Sequence, residues 1–132
     1  MNRADIRFDN ASYIDPTGRV FFCDNEVFRA FYPDTSEFYR NLISSPLIKD
    51  MMGKGQLVKS EPSPELNIDG FDLIVKHQRL PFPNYCFEWS MTQLKDAAKL
   101  TLEIASEILD DGLVLQDATP YNIFFDFSKP VF

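Results

Sequence analysis

The sequence predicts an α+β domain of antiparallel strands with one long helix, and three stretches carry that expectation. Residues 19–23 and 27–32 are apolar, aromatic-rich runs on either side of Asp24-Asn25-Glu26, which is the pattern of a β-hairpin. Ser90 and Gln93 have capping-box spacing and Gly112 supplies a left-handed stop, so residues 90–111 are expected to form a single helix. Residues 123–127 and 131–132 flank Ser128-Lys129-Pro130 and read as a second hairpin.

At 132 residues, with 45% apolar residues and 13 Phe, the chain can bury one real core and is not a disordered segment. A formal net charge of −7 argues against a nucleic-acid surface or an anionic-membrane surface. Cys23 and Cys86 stand alone, without a C-x-x-C, and read as small buried hydrophobes in a reducing compartment. His77 is the one histidine, so a zinc cluster cannot be assembled. Residues 1–10 lack the apolar core of a signal peptide, and no run approaches the ~20 residues of a membrane helix. These features describe a cytoplasmic protein that meets neither membrane nor nucleic acid.

The elements follow in order. Residues 1–14 are expected to be a flexible N-terminus, polar and frayed through Ala11, with the domain occupying residues 15–132. Asp15-Pro16-Thr17-Gly18 is a turn signal, with Pro at its second position and Gly at its fourth. Alternation in the second hairpin run puts Val27, Arg29 and Phe31 on one face, with Phe28, Ala30 and Tyr32 on the other. Asp34 or Thr35 is placed to cap a helix, Glu37 completes a capping-box spacing, and Phe38, Leu42 and Ile43 form its apolar stripe. Ser44-Ser45-Pro46 breaks that helix, and residues 47–52 restart it as far as Gly53. Residues 56–60 are a short strand candidate, 61–70 an exposed loop with Pro62 and Pro64, and 71–77 a buried strand. Prolines 81 and 83 hold an extended connection to Trp89. On the long helix Leu94, Ala97, Ala98, Leu102, Ala105, Ile108 and Leu109 are taken as the packing face.

That helix delivers the chain to Asp117-Ala-Thr-Pro-Tyr-Asn122. A D-x-x-x-x-N spacing is found in the kinase catalytic loop, where the Asp takes the substrate proton and the Asn holds magnesium. Such chemistry needs a short rigid turn that aims two side chains at one phosphate. The bland alternative is that Asp and Asn hydrogen-bond their own backbone. Element order favours the first reading: hairpin, helices, strands, extended connection, long helix, loop, hairpin is a truncated protein-kinase-like arrangement. On that reading Asp117 is the catalytic base, Asn122 the metal ligand, and Arg29 a phosphate contact where a lysine is usual. The chain stops where a second metal-binding Asp is expected, which reads as a fragment of a longer protein.

Two stretches, residues 75–98 with Phe87-Glu88-Trp89-Ser90 and Leu94-Lys-Asp-Ala-Ala98, and residues 112–125 with Asp117-Ala-Thr-Pro-Tyr-Asn122, resemble one bacterial family. Asp15-Pro-Thr-Gly-Arg-Val-Phe, Val27-Phe-Arg-Ala-Phe and Pro130-Val-Phe extend the likeness. It is similar to the N-terminal region of class I S-adenosylmethionine-dependent methyltransferases related to rhizobial nodulation proteins. The resemblance implies a longer parent that transfers methyl groups, with a C-terminal methyltransferase domain on the same chain as this region's partner. Gln116 departs from the lysine usual there, which removes a positive charge beside Asp117.

None of the five glycines makes G-x-G-x-x-G or a P-loop, so no cofactor is expected in this chain. S-adenosylmethionine is implied for the parent alone. The sequence therefore reads as a non-catalytic kinase-like module. The alternative is a small-molecule phosphotransferase using magnesium and ATP.

Overall fold

The hairpin at Asp24-Asn25 forms as its residues require. In a computed structural model of the protein, which describes residues 6–132, strand β2 (Gly18–Cys23) pairs antiparallel with β3 (Glu26–Phe31). Asp24 and Asn25 both take positive φ, 48° and 68°. A two-residue turn with both centres left-handed matches the right-handed twist of the strands it joins.

The chain divides into two compact units, Met1–Lys49 with Lys59–Arg79 and Asp50–Val58 with Leu80–Phe132. The first is a five-stranded sheet in the order β1-β2-β3-β5-β4, where β1 is Arg7–Phe8, β4 Ser60–Pro62 and β5 Leu73–His77. Every pairing in it is antiparallel. Alternation sorts the side chains as expected. Phe21, Phe28, Ala30 and Ile74 make one core cluster, and Phe31, Leu73 and Val75 make the other. Phe21 is fully buried, with its ring stacked on Phe28 at 5.1 Å and tilted against Phe8 at 5.7 Å.

Several boundaries differ from the sequence reading. Ile6–Ile14 is not a loose lead-in: Arg7–Phe8 joins the sheet edge, and Asp9 caps a 3-10 turn over Asn10–Ile14. The rest of the expected frayed segment, residues 1–5, lies outside the described residues. Helix α1 (Pro33–Ser44) starts one residue before Asp34, with Pro33 in its first turn and Tyr32 as a cap that makes no side-chain bond. Thr35 instead gives its hydroxyl to the carbonyls of Thr17 and Tyr32, at 2.8 and 3.1 Å. Of the expected stripe, Phe38 is 54% exposed, while Ile43 packs on the sheet with Tyr39. Helix α2 (Pro46–Lys54) runs through Gly53, and the left-handed stop is Gly55. The strand expected at residues 56–60 forms later, at Ser60–Pro62. There Pro62 is tolerated because an edge strand leaves its missing N–H unneeded.

The second unit centres on α3 (Met91–Leu109). Ser90 Oγ accepts from Gln93 N, Gln93 Oε1 accepts from Ser90 N, and Gly112 turns left-handed with φ 72°. Its buried residues are Ala97, Leu100, Ile104 and Ile108. The expected packing face was thus only partly right, since Leu94, Leu102 and Leu109 are exposed. Strands β6 (Phe124–Asp126) and β7 (Lys129–Val131) form the closing hairpin. Its turn is Phe127-Ser128 rather than Ser128-Lys129-Pro130, with Phe127 at φ 55°. Trp89 stands edge-on to Phe125 at 5.3 Å and donates its indole N–H to the carbonyl of Asn84. Among the described residues no helix is long and apolar enough to cross a membrane.

Candidate functional site

The loop after α3 reaches its shape through a proline and two short polar side chains. Pro120 opens a 3-10 turn over Pro120–Asn122, where its fixed φ suits the first helical position. Asp117 Oδ1 accepts from the backbone N–H of Thr119 at 3.3 Å. The Asn122 side-chain amide donates to the carbonyl of Asp117 at 2.9 Å, and the Asn122 N–H donates to the carbonyl of Thr119 at 3.0 Å. These three bonds close a ring that holds Asp117 and Asn122 together at the surface, both exposed. The next residues anchor the ring, because Ile123 and Phe125 are buried.

The arrangement brings together the two residues that the spacing singled out, by bonds of the local kind that the bland alternative anticipated. Its chemical capacity is limited. The Asn122 amide nitrogen is committed to the loop, so only the neutral Oδ1 remains for a cation. The Asp117 carboxylate has one hydrogen bond and can orient a hydroxyl or accept a proton. Among the described residues no group of three His, Cys, Asp or Glu could hold a metal ion.

Arg29 belongs to the first unit and has a different environment. Its guanidinium forms an ion pair with Asp15 and donates to Thr17 Oγ1 at 3.4 Å, while its charge lies 5.3 Å from the Phe31 ring centre. Asp15 also accepts from the N–H and hydroxyl of Thr17, at 2.8 and 2.7 Å. Arg29 thus completes the turn that leads into β2. Burial lowers its pKa, with the nearby Tyr39 working in the opposite direction. Sequence reading missed this pairing, although the turn signal at Asp15 was visible, because nothing local links the turn to a residue on β3.

Two further features escaped the sequence. A cleft of about 320 Å³ in the first unit is lined by Arg40, Ser63, Asn67, Phe71 and Asp72 among others. Its Arg40–Asp72 pair is open to water at 3.6 Å, which makes it weak. The other is His77, on β5 between Val27 of β3 and Ser60 of β4. Its Nδ1 lies 2.8 Å from Ser60 Oγ. Burial, helped by the charge of Arg29, pushes its pKa down from 6.5 to about 4.

A depressed histidine pKa favours the neutral ring in the folded state. This contribution is complete above the unfolded value near 6.5 and is lost as pH falls through about 4. Partial exposure limits it to at most about 3 kcal/mol. Urea midpoints measured from pH 7 to pH 4 should therefore fall steeply for the parent chain and less steeply for His77→Gln. Equal slopes would mean that His77 titrates normally.

In comparisons with known proteins, no family model and no solved structure matches the chain. A curated relative does: the chain is 31% identical over 125 residues to "Nodulation protein NoeA" of Rhizobium meliloti (strain 1021). The match takes in 92% of this chain and 26% of that protein, so the chain spans about a quarter of the length of the relative. The chain is thereby related to rhizobial nodulation proteins.

Proposed function

We propose that this chain is a non-catalytic, kinase-like module of a longer nodulation-related protein whose parent activity is methyl transfer from S-adenosylmethionine. The observation that carries the reading is the ring around Asp117 and Asn122. It holds the two residues of the D-x-x-x-x-N spacing together between a long helix and a hairpin, yet offers a metal only one neutral oxygen besides the Asp117 carboxylate. Magnesium wants near-octahedral oxygen ligation and is usually held by one or two carboxylates with substrate phosphates. If Asp117 orients a hydroxyl, it does not also serve as the main ligand. The loop then positions or binds, and the partner it serves is the C-terminal methyltransferase domain of the parent.

The placement of the glycines supports leaving the cofactor to that domain. A methyl added at Gly53, Gly55, Gly70 or Gly112 would meet nothing within 4 Å, and at Gly18 it would meet the neighbouring strand. None of the five makes the G-x-G-x-x-G turn by which bare backbone cradles such a cofactor, which supports the reading.

The same ring favours a second reading, a small-molecule phosphotransferase with Asp117 as base and Asn122 on magnesium. Arg29 would then have to exchange Asp15 for a phosphate. Calorimetric titration with S-adenosylmethionine, and with ATP and magnesium, separates the readings. We expect no heat of binding from the methyl donor and no ATP turnover. A micromolar dissociation constant for the donor would overturn the first reading, and ATP turnover abolished by Asp117→Asn would establish the second.

A further inference from the structure

The cleft of about 320 Å³ in the first unit has a cation and an anion side by side in its wall. Ser36 and Arg40 stand one turn apart on α1, so both side chains leave the same face of the helix. Both reach Asp72, the residue before β5. Ser36 is 3% exposed and donates its hydroxyl to Asp72 Oδ2 at 2.7 Å. Arg40 Nη2 lies 3.4 Å from the Asp72 carbonyl oxygen and 3.6 Å from Oδ2. Among the described residues, Asp72 Oδ1 accepts no hydrogen bond and Arg40 Nε and Nη1 donate none. The wall therefore offers a carboxylate oriented by a buried hydroxyl, next to a guanidinium with most of its donors free. Leu66 and Phe71 supply apolar surface, and Pro62 and Pro64 stiffen the segment that frames the cleft. That segment is tied to the sheet by the Ser63 N–H, which donates to the carbonyl of Ile74 at 2.9 Å.

This wall selects its ligand by charge. A simple anion is repelled by Asp72, and a simple cation by Arg40. A molecule with a carboxylate and an ammonium on one carbon opposes both, setting its carboxylate on the guanidinium and its ammonium on the Asp72 oxygen. We propose that the cleft binds a free α-amino acid whose apolar side chain lies against Leu66 and Phe71. Ligand sites span about 300–1,000 Å³, and a cleft at the small end of that range suits a molecule of this size. The Arg40 and Asp72 side chains are 50% and 58% exposed, and an ion pair so hydrated contributes little to folding. The ligand thus displaces water and a loose contact, while the bond from Ser36 stays in place. This inference does not depend on what the Asp117 loop does.

Titration of the intact chain with L-valine, L-leucine, L-methionine and L-phenylalanine, followed by the NMR shifts of its backbone amides, tests it. At least one is expected to bind with a dissociation constant of about 1 mM or below, moving the signals of Leu66, Phe71 and Asp72. For the tightest of them, the acid lacking the amino group and the amine lacking the carboxylate should each bind roughly tenfold more weakly, because each leaves one charge of the wall unanswered. Arg40→Gln and Asp72→Asn should weaken the amino acid itself by a similar factor and leave circular dichroism unchanged. No binding by any of the four, shifts confined to residues outside the cleft, or a deaminated acid that binds as tightly as its parent would each overturn the proposal.

Discussion

Phe21→Ala should lower the unfolding free energy by about 3–5 kcal/mol, the range for removing a fully buried aromatic ring. Phe21 is 0% exposed and sits between the rings of Phe8 and Phe28. Ala30 and Ile74 share its cluster. Alanine removes the transfer energy of the ring and leaves a cavity among strands that hydrogen bonds hold in register, so the walls cannot collapse freely. Aromatic pairing adds to the loss. Since whole domains are stable by only about 5–15 kcal/mol, this loss is a large fraction of the total. Urea unfolding gives the number, and Phe82→Ala is the control, because Phe82 is 76% exposed and should change stability by no more than about 0.5 kcal/mol. Equal midpoints for the two variants would show that Phe21 does not hold the sheet together.

A single added methyl at Gly18 should cost nearly as much. The Cβ of Gly18→Ala would be driven into the carbonyl oxygen of Ala30 and would lie 3.0 Å from Phe31 Cα. Both obstacles are backbone on the paired strand, since Gly18 stands opposite Phe31 in the ladder. No side chain can swing aside, so β2 and β3 must separate at their open end. The neighbouring Thr17 carbonyl accepts from Tyr32 N at 3.1 Å and Thr35 Oγ1 at 2.8 Å, and it would be displaced too. We expect a loss of about 2–4 kcal/mol, at the upper end of what overpacking does. Urea unfolding of Gly18→Ala beside Gly53→Ala checks it. Gly53 lies in α2 with nothing near its missing Cβ, so that change should be neutral or stabilising. A Gly18→Ala loss below about 1 kcal/mol would mean that the strands part at little cost.

What was legible in the sequence is what neighbouring residues decide among themselves. Asp24-Asn25 tolerates left-handed backbone, and Ser90 with Gln93 bonds reciprocally across one helical turn. The Asp117–Asn122 ring closes within its own loop. None of these depends on a distant partner. The misreadings arise where distant residues choose. Arg7–Phe8 is a strand because β2 offers an edge, and two residues carry no period of their own. Thr35 looks like a helix cap, but its hydroxyl bonds Thr17 as well as Tyr32. Arg29 looked available for an anion because Asp15 is remote along the chain. On α3 the sequence contains two apolar stripes, and periodicity alone does not say which one the rest of the unit covers.

The setting of Trp89 gives the chain an optical property. The protein has one Trp, so light absorbed at the red edge is emitted from a single place. That place is wired to its surroundings by Asn84, whose carbonyl accepts the indole N–H at 3.3 Å. The Asn84 side chain also accepts from Phe125 N at 3.4 Å. Loss of the α3 unit moves the indole into water and shifts its emission to longer wavelength, whereas the five-stranded sheet contains no Trp and is silent in that channel. Circular dichroism sees both units. The two signals recorded on one sample therefore divide the unfolding of the chain by region without any label: coincident curves report one cooperative transition, and separated curves assign each step to its unit.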